Sequence, residues 1–165
     1  MLTLSRGLQP SPMPTILDPT ALSAPRLKEA LAYWQSKRAG RAMPARRDLD
    51  PVDVPKLLPY VMLYDVLPAP LDFRFRLIGT EARSLLSQDY TGKLFSELPG
   101  KGRGSIVWDN CEQVVLTRAP FSRSPPYVGP ERHLRHCENL LMPLSDNGSD
   151  VTMIVQVISF ERGFV

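Results

Sequence analysis

The stretch FRFRLIGTEARSLLSQDYTGKLFSEL, residues 73–98, changes its pattern twice within a short span. Its first residues alternate apolar and charged side chains. We therefore expect Phe73, Phe75 and Leu77 to point to one face of a strand and the arginines between them to the other. A short helical pattern follows Gly79, and a polar turn containing glycine comes next. The stretch predicts a strand, a short helix and a glycine turn, with no obvious catalytic residue among them.

Segments on both sides of this stretch predict a sheet around its strand. YVMLYDV, residues 60–66, indicates a strand that forms a hairpin with it across a proline-containing turn. Near the C-terminus, residues 132–160 indicate a second hairpin closed by an Asp-Asn-Gly turn. The double proline at 125–126 limits the strand before that hairpin to a sheet edge. The expected order is helix, two strands, three short helices and three strands, with the short helices covering one face of an antiparallel sheet.

The N-terminal part of the chain divides into a lead-in and a helix. Residues 1–23 contain four prolines and are expected to be extended or disordered. A helix is predicted over 24–40, with Ser23 as its N-cap. Its apolar stripe consists of Leu27, Ala30, Leu31 and Trp34. This stripe is expected to pack on the chain's own sheet or on a second copy of the protein. Residues 24–162 are expected to form one domain.

Charge and composition restrict the possible function classes. The formal net charge is +3, but the segment from Arg26 to Arg47 carries seven basic residues and one acid, so it is +6 and the remainder is −3. Such a segment can be a solvated surface, an electrostatic docking surface or a nucleic-acid contact. The 165 residues contain only two cysteines, no secretory signal and no membrane span. We expect a soluble cytoplasmic protein.

Motifs for catalysis or metal binding are absent from the sequence. It contains no nucleophile elbow, phosphate loop or metalloprotease helix, and its clustered aspartates fit capping and turn positions. Cys111 falls on the apolar face of a predicted helix, where a thiol acts as a small hydrophobe. His133, His136 and Cys137 lack a fourth ligand for structural zinc. We therefore expect no enzyme activity, no metal, and neither haem nor flavin.

The order and spacing of these segments resemble a PAS domain. The resemblance is carried by YWQSKRAGRAMPARRDLDP, LLPYVMLYDV, the 73–98 stretch and NLLMPLSDNGSDVTMIVQVISF. The chain is especially similar to short stand-alone single-PAS proteins of alphaproteobacteria. One departure is Ser87, where that pattern usually has glycine. The resemblance implies an α+β fold with a five-stranded antiparallel sheet in the order 2-1-5-4-3, short helices on one face, and an additional N-terminal helix.

The resemblance also implies a sensory or regulatory function rather than catalysis. The expected mode of action is binding of a small apolar or amphipathic ligand, contact with another protein, or both. By family analogy the partner is a signalling protein such as a histidine kinase, and the chain is expected to form a homodimer. Two alternatives are an adaptor whose core is completely filled and a nucleic-acid binder that uses the basic segment 26–47.

Two groups of residues are candidates for these contacts. The predicted ligand pocket lies on the inner face of the sheet, and the predicted interface combines the first helix with the outer face. The pocket candidates are Phe73, Phe75, Leu77, Phe95, Trp108, Phe121, Tyr127, Leu141 and Met153. The interface candidates are Leu27, Leu31, Trp34, Arg38 and Arg76.

Overall fold

The computed structural model describes residues 19–124 and 133–163. Five antiparallel strands form one sheet in the order β2-β1-β5-β4-β3. The strands are β1 (Val61–Pro68), β2 (Leu71–Ile78), β3 (Phe121–Arg123), β4 (Leu134–Leu144) and β5 (Met153–Arg162). This arrangement confirms the predicted α+β fold and strand order.

In the part of the chain that the structure describes, three α-helices and several single 3-10 turns accompany the sheet. The helices are α1 (Pro25–Lys37), α2 (Thr80–Ser84) and α3 (Ile106–Thr117). The 3-10 turns are Pro19–Ala21, Arg46–Asp48, Pro51–Asp53, Leu58–Tyr60 and Phe95–Glu97. Within the described residues, no helix is both long and apolar enough to cross a membrane.

Packed structure begins before the predicted boundary at residue 24. Residues 1–18 of the expected lead-in lie outside the described residues. The rest of that segment contains a 3-10 turn at Pro19–Ala21, and Leu22 is buried in the core. The lead-in prediction therefore fails for residues 19–23, because Leu22 provides an apolar anchor just ahead of α1.

Helices lie on both faces of the sheet. On the inner face, Phe73 of β2 contacts Trp108 of α3, and Tyr64 of β1 contacts Phe95 in the turn before α3. On the outer face, α1 packs against β4 and β5. Alternate residues along the central strands thus contribute to two different apolar layers, and for that reason the strand sequences read as nearly continuous apolar runs.

A β-bulge changes the orientation of side chains along β2. Leu63 pairs with Leu77, but the next residue of β1, Tyr64, pairs with Phe75. Neighbouring residues of β1 point to opposite faces, so Phe75 lies on the inner face with Tyr64 and Leu77 on the outer face with Leu63. The prediction that Phe73, Phe75 and Leu77 share one face is therefore wrong for Leu77.

Helix α1 is attached to the sheet by buried polar contacts near both ends. The Glu138 carboxylate on β4 accepts hydrogen bonds from the backbone amides of Ser23 and Ala24 and from the Ser23 hydroxyl. Near the other end, Trp34 Nε1 donates to the Pro143 carbonyl oxygen over 2.8 Å. Ser23 is therefore not the N-cap as predicted. The N-cap residue is Ala24, whose side chain makes no capping hydrogen bond. The Glu138 carboxylate accepts hydrogen bonds from the Ser23 and Ala24 amides instead.

The environment of Glu138 has opposing effects on its ionisation. Burial raises the pKa of a carboxyl, but the hydrogen bonds from Ser23 and Ala24 outweigh burial and lower the pKa of Glu138 below its usual value. A lowered pKa means that the ionised form stabilises the folded state. This stabilisation is present above the pKa of the unfolded glutamate and is lost as pH falls through the lower folded value.

We expect Glu138→Gln to lower the free energy of unfolding by about 2 kcal/mol at neutral pH, because hydrogen bonds to a charged group contribute about 1.5–3 kcal/mol. Urea denaturation followed by circular dichroism measures this difference. It should begin to shrink as pH falls below about 4, near the pKa of an unfolded glutamate, and should disappear once the folded carboxyl, whose pKa is lower, is also protonated. Glu161→Gln, at an exposed position on β5, is the matched control and should change little. Equal effects of both substitutions would contradict the anchoring role.

Gly79 lies where the proline-rich link of residues 46–58, which crosses the outer face of the sheet, approaches the start of α2. A β-carbon on residue 79 would lie 2.3 Å from the Leu58 carbonyl oxygen and 2.5 Å from the Pro59 carbonyl oxygen. Its φ of −64° is open to any residue, so the requirement for glycine here is one of space alone. The Gly79 amide also donates to the Val61 carbonyl oxygen over 2.7 Å.

We expect Gly79→Ala to lower the free energy of unfolding by about 1–3 kcal/mol, the usual range for overpacking. The reason is that backbone atoms, rather than flexible side chains, must move to make room for the β-carbon. Gly102→Ala is the matched control, since its β-carbon would meet nothing within 4 Å and its backbone φ is not positive. Thermal unfolding of both variants tests this. A Gly79→Ala variant as stable as Gly102→Ala would show that the link shifts without cost.

Candidate functional site

The inner face of the sheet is filled by aromatic rings. Five of them contact one another with centroid separations between 4.9 and 5.4 Å. They are Tyr64, Phe73, Phe75, Phe95 and Trp108. Four of these were predicted pocket candidates, and the structure does bring them together. All five are buried, so they form a close-packed layer in the position where the sequence predicted an open pocket.

A short row of polar groups runs along this inner layer. The Tyr64 hydroxyl donates to Gln156 Oε1 over 2.7 Å, and Gln156 Nε2 donates to Asn139 Oδ1 over 2.9 Å. Burial raises the pKa of Tyr64, so its hydroxyl remains a neutral donor. Trp108 Nε1 is the one buried side-chain polar atom in the described chain without a hydrogen-bond partner. The row contains no strongly acidic or basic group that could serve as a catalyst.

The other pocket candidates are distributed differently from the prediction. Leu141 is buried on the inner face, and Phe121 pairs with it from the edge strand β3 and is half-buried. Leu77 is on the outer face. Met153 alternates with the inner residue Ile154 and so also lies on the outer face, because side chains along a strand point alternately to its two sides. Tyr127 lies outside the described residues.

A cavity of about 100 Å³ lies on the opposite face, between α1, the proline-rich link of residues 46–58 and the outer surface of the sheet. Its walls are almost entirely apolar. Residues from all three sides contribute, including Ala30, Trp34, Val54, Leu63, Val155 and Val157. The bulge in β2 turns Leu77 towards this cavity, and Leu77 and Leu58 remain 44% and 38% exposed at its edge. The structure thus combines a filled inner face with an open outer one.

The composition of the link indicates an apolar surface beneath it. The sequence from within the link to the first residue of β1, DLDPVDVPKLLPYV (residues 48–61), contains several apolar residues. It also contains prolines at 51, 55 and 59, which prevent a long helix. An apolar segment that cannot form a helix or pair as a strand has to lie across another apolar surface. The link does so over the outer face, where Leu57 is buried and Val54 is half-buried.

The apolar interface candidates are used within the chain itself. Leu27 and Leu31 are fully buried and Trp34 is 3% exposed. All three pack on the outer face of the sheet, so the first of the two expected alternatives is correct. An interface made directly by this stripe is excluded in this structure, because its apolar area is already covered.

The two basic interface candidates lie at the surface. Arg76 has a side chain 66% exposed, with Nη1 3.9 Å from Asp65 Oδ2. Arg38 is half-buried. Its Nε donates to the Arg41 carbonyl oxygen over 2.9 Å, and its guanidinium lies 5.6 Å from the centre of the Trp34 ring. Contacts with another molecule thus remain possible for Arg76, while Arg38 mainly braces the end of α1.

Two of the seven basic residues between Arg26 and Arg47 are paired with acids just beyond that segment. Lys37 Nζ lies 2.8 Å from Asp53 Oδ2, and Arg41 Nη2 lies 2.7 Å from Asp48 Oδ2. The hydrogen bond from Lys37 lowers the pKa of Asp53. Hydrogen bonds from the Ala45 amide and then from Arg41 lower the pKa of Asp48. Paired in this way, the segment is a weaker candidate for a nucleic-acid surface than its sequence charge suggests.

The remaining reactive side chains do not form a site. Cys111 and Cys137 are free and buried. Burial raises the pKa of Cys137 to about 11 and also raises the pKa of Cys111. Among the described residues, which include His133 and His136, no group of three or more histidine, cysteine or acidic side chains could hold a metal ion.

A family model described as a PAS domain matches residues 22–158. The chain belongs to the PAS domain family. A solved structure of a fungal LOV domain photoreceptor is also similar, at 13% sequence identity and a TM-score of 0.42, and the match covers 60% of this chain and 72% of the photoreceptor chain. At this level of similarity the photoreceptor indicates nothing about the chemistry of this PAS domain. None of the curated proteins matches the sequence.

We expect both cysteines of this PAS domain to react with the thiol reagent DTNB at least about a hundredfold more slowly in the native protein than in urea, since only the thiolate is nucleophilic and the native pKa values are raised. The measurement is the absorbance time course at mildly alkaline pH. The unfolded protein should release two equivalents of the coloured thionitrobenzoate anion per chain, one for each cysteine. Fast reaction of a thiol in the native protein would contradict its burial.

Proposed function

We propose that this PAS domain is a non-enzymatic cytoplasmic regulatory module that binds a small apolar or amphipathic ligand in the outer cavity. PAS domains are a family of sensory modules that often bind ligands and mediate protein contacts. The observation that carries the proposal is the apolar cavity beneath α1, because the inner face is occupied by aromatic rings and leaves the outer face as the place for a ligand.

The position of the cavity suggests how a bound ligand acts on a partner. Its walls include α1 and the link of residues 46–58, and only Pro59 and Tyr60 separate the link from the start of β1 at Val61. Short 3-10 turns with few ladder hydrogen bonds respond to a ligand more easily than the central sheet does. The partner proposed by family analogy is a signalling protein such as a histidine kinase, or a second copy of the chain in a homodimer, with Arg76 available for contact.

The compartment is inferred from cysteine chemistry. Both cysteines are free and no disulfide occurs within the described residues. Free buried thiols suit a reducing compartment, which supports the cytoplasm for this module.

A neutral fluorescent probe, N-phenyl-1-naphthylamine, tests the ligand site. We expect saturable binding to the wild-type protein, because this probe brightens in apolar surroundings. Val54→Phe fills the outer cavity and should abolish binding. Val107→Phe makes the same change at a half-buried position on α3, on the other side of the sheet, and should leave binding intact.

The outcomes separate the proposal from its rivals. Loss of binding in Val107→Phe with retention in Val54→Phe would place the ligand on the inner face and overturn the proposed site. Absence of binding to the wild-type protein would favour the second candidate function, an adaptor that acts only through protein contact. The filled aromatic layer on the inner face is the observation that supports this second candidate.

A further inference from the structure

Three polar side chains, Tyr33, Arg46 and Asp50, line the otherwise apolar outer cavity. Two of them are already engaged. The Tyr33 hydroxyl lies 3.0 Å from Asp53 Oδ2 and accepts the Asp50 amide over 2.9 Å. Asp50 Oδ1 accepts the Val52 amide over 3.0 Å and so caps the 3-10 turn that follows it. These groups hold the link in position, and Arg46 is the remaining polar residue of a cavity wall whose surface is almost entirely apolar.

Arg46 is the one basic residue that lines the cavity, and it forms no ion pair within the described residues. Lys37 and Arg41 form ion pairs with Asp53 and Asp48 at 2.8 and 2.7 Å. Arg46 is half-buried, and its Nη1 donates to the Leu49 carbonyl oxygen over 3.1 Å. A guanidinium has five N–H donors, so most of its donors remain available. This one bond also fixes the side chain at the cavity, which reduces the entropy lost when a ligand binds.

We infer that the outer cavity takes a small amphipathic anion, with an apolar body against the sheet and α1 and an anionic oxygen group on Arg46. The inference rests on the proposed function, which places the ligand in this cavity. Val155 and Val157 supply the apolar floor, where removal of a hydrocarbon or aromatic body from water is favourable. Arg46 supplies the fork of donors that matches a carboxylate or sulfonate.

Both parts of the site are needed for this selectivity. A purely apolar molecule gains nothing from Arg46 and leaves its guanidinium partly desolvated without an anion. A small polar anion gains little from the apolar floor. Asp50 on the cavity edge opposes an anion, but it is exposed and one of its oxygens is engaged by the Val52 amide. The half-buried guanidinium is less screened by solvent and therefore has the larger effect.

Two related probes separate the contribution of charge from that of apolar contact. The anionic probe is 1-anilinonaphthalene-8-sulfonate, and the neutral probe is N-phenyl-1-naphthylamine, which has the same aromatic body without the sulfonate. Both are titrated into the full chain and followed by fluorescence. The variants are Arg46→Met, Arg46→Lys and Arg47→Met. Arg47 is the matched control because it is the next residue, is exposed and does not line the cavity.

We expect Arg46→Met to weaken binding of the anionic probe about tenfold, the size of one charge-assisted hydrogen bond discounted for partial exposure. Binding of the neutral probe should change less than about twofold, since the methionine keeps the apolar stem. Arg46→Lys should lie between wild type and Arg46→Met, and Arg47→Met should match wild type. Val54→Phe should abolish binding of both probes, which shows that the anionic probe occupies this cavity.

The other outcomes overturn the inference. Equal losses in Arg46→Met and Arg47→Met would mean a general charge effect, and parallel losses of both probes in Arg46→Met would mean a packing role. Anionic binding that survives Val54→Phe would place that probe elsewhere on the surface. In all three cases, saturable neutral-probe binding to the wild type that is abolished by Val54→Phe and kept in Val107→Phe would leave the proposed function standing. Absence of neutral-probe binding to the wild type would overturn the proposed function together with the inference.

Discussion

The attachment of α1 to the outer face of the sheet is the interaction on which the rest of the structure depends. Glu138 holds the beginning of the helix and the Pro143 carbonyl oxygen holds Trp34 near its end, so two residues of one strand fix the helix along its length. Removing either contact leaves buried polar groups without partners, which is costly. The helix held in this way contributes Ala30, Tyr33 and Trp34 to the wall of the outer cavity.

The architecture could be predicted well from the sequence because it follows from local patterns. The alternation at residues 73–77, the Asp-Asn-Gly turn and the confinement of the double proline to an edge each depend on a few neighbouring residues. Together they predicted the two hairpins and the edge strand, while the strand order 2-1-5-4-3 was implied by the resemblance to a PAS domain. The apolar stripe of α1 was also found, since a period of 3.6 residues is visible without knowledge of what the helix contacts.

The features that were missed depend on contacts between distant parts of the chain. The bulge between β1 and β2 is a mismatch between two strands, so the regular alternation of β2 gives no sign that Leu77 is turned outward. Ser23 has the residue type of an N-cap, but Glu138 is 115 positions away and supplies the acceptor. The predicted pocket likewise consisted of residues that the apolar pattern assigned to one face, and this assignment holds for the aromatic residues of β2 but not for Leu77 or Met153. Whether the space between them is filled depends on ring packing, which an apolar pattern cannot show.

The close approach at Gly79 brings the backbone of the link into contact with the backbone at the start of α2. The Leu58 carbonyl oxygen occupies the space of the missing β-carbon, and α2 begins at the next residue, Thr80. Leu58 is also part of the cavity wall. A displacement of Leu58 by a ligand in the outer cavity would therefore move the backbone at Gly79, where α2 begins. Such a movement would reach α2 through a contact between two backbone segments that lie outside the strands, without any change in the sheet.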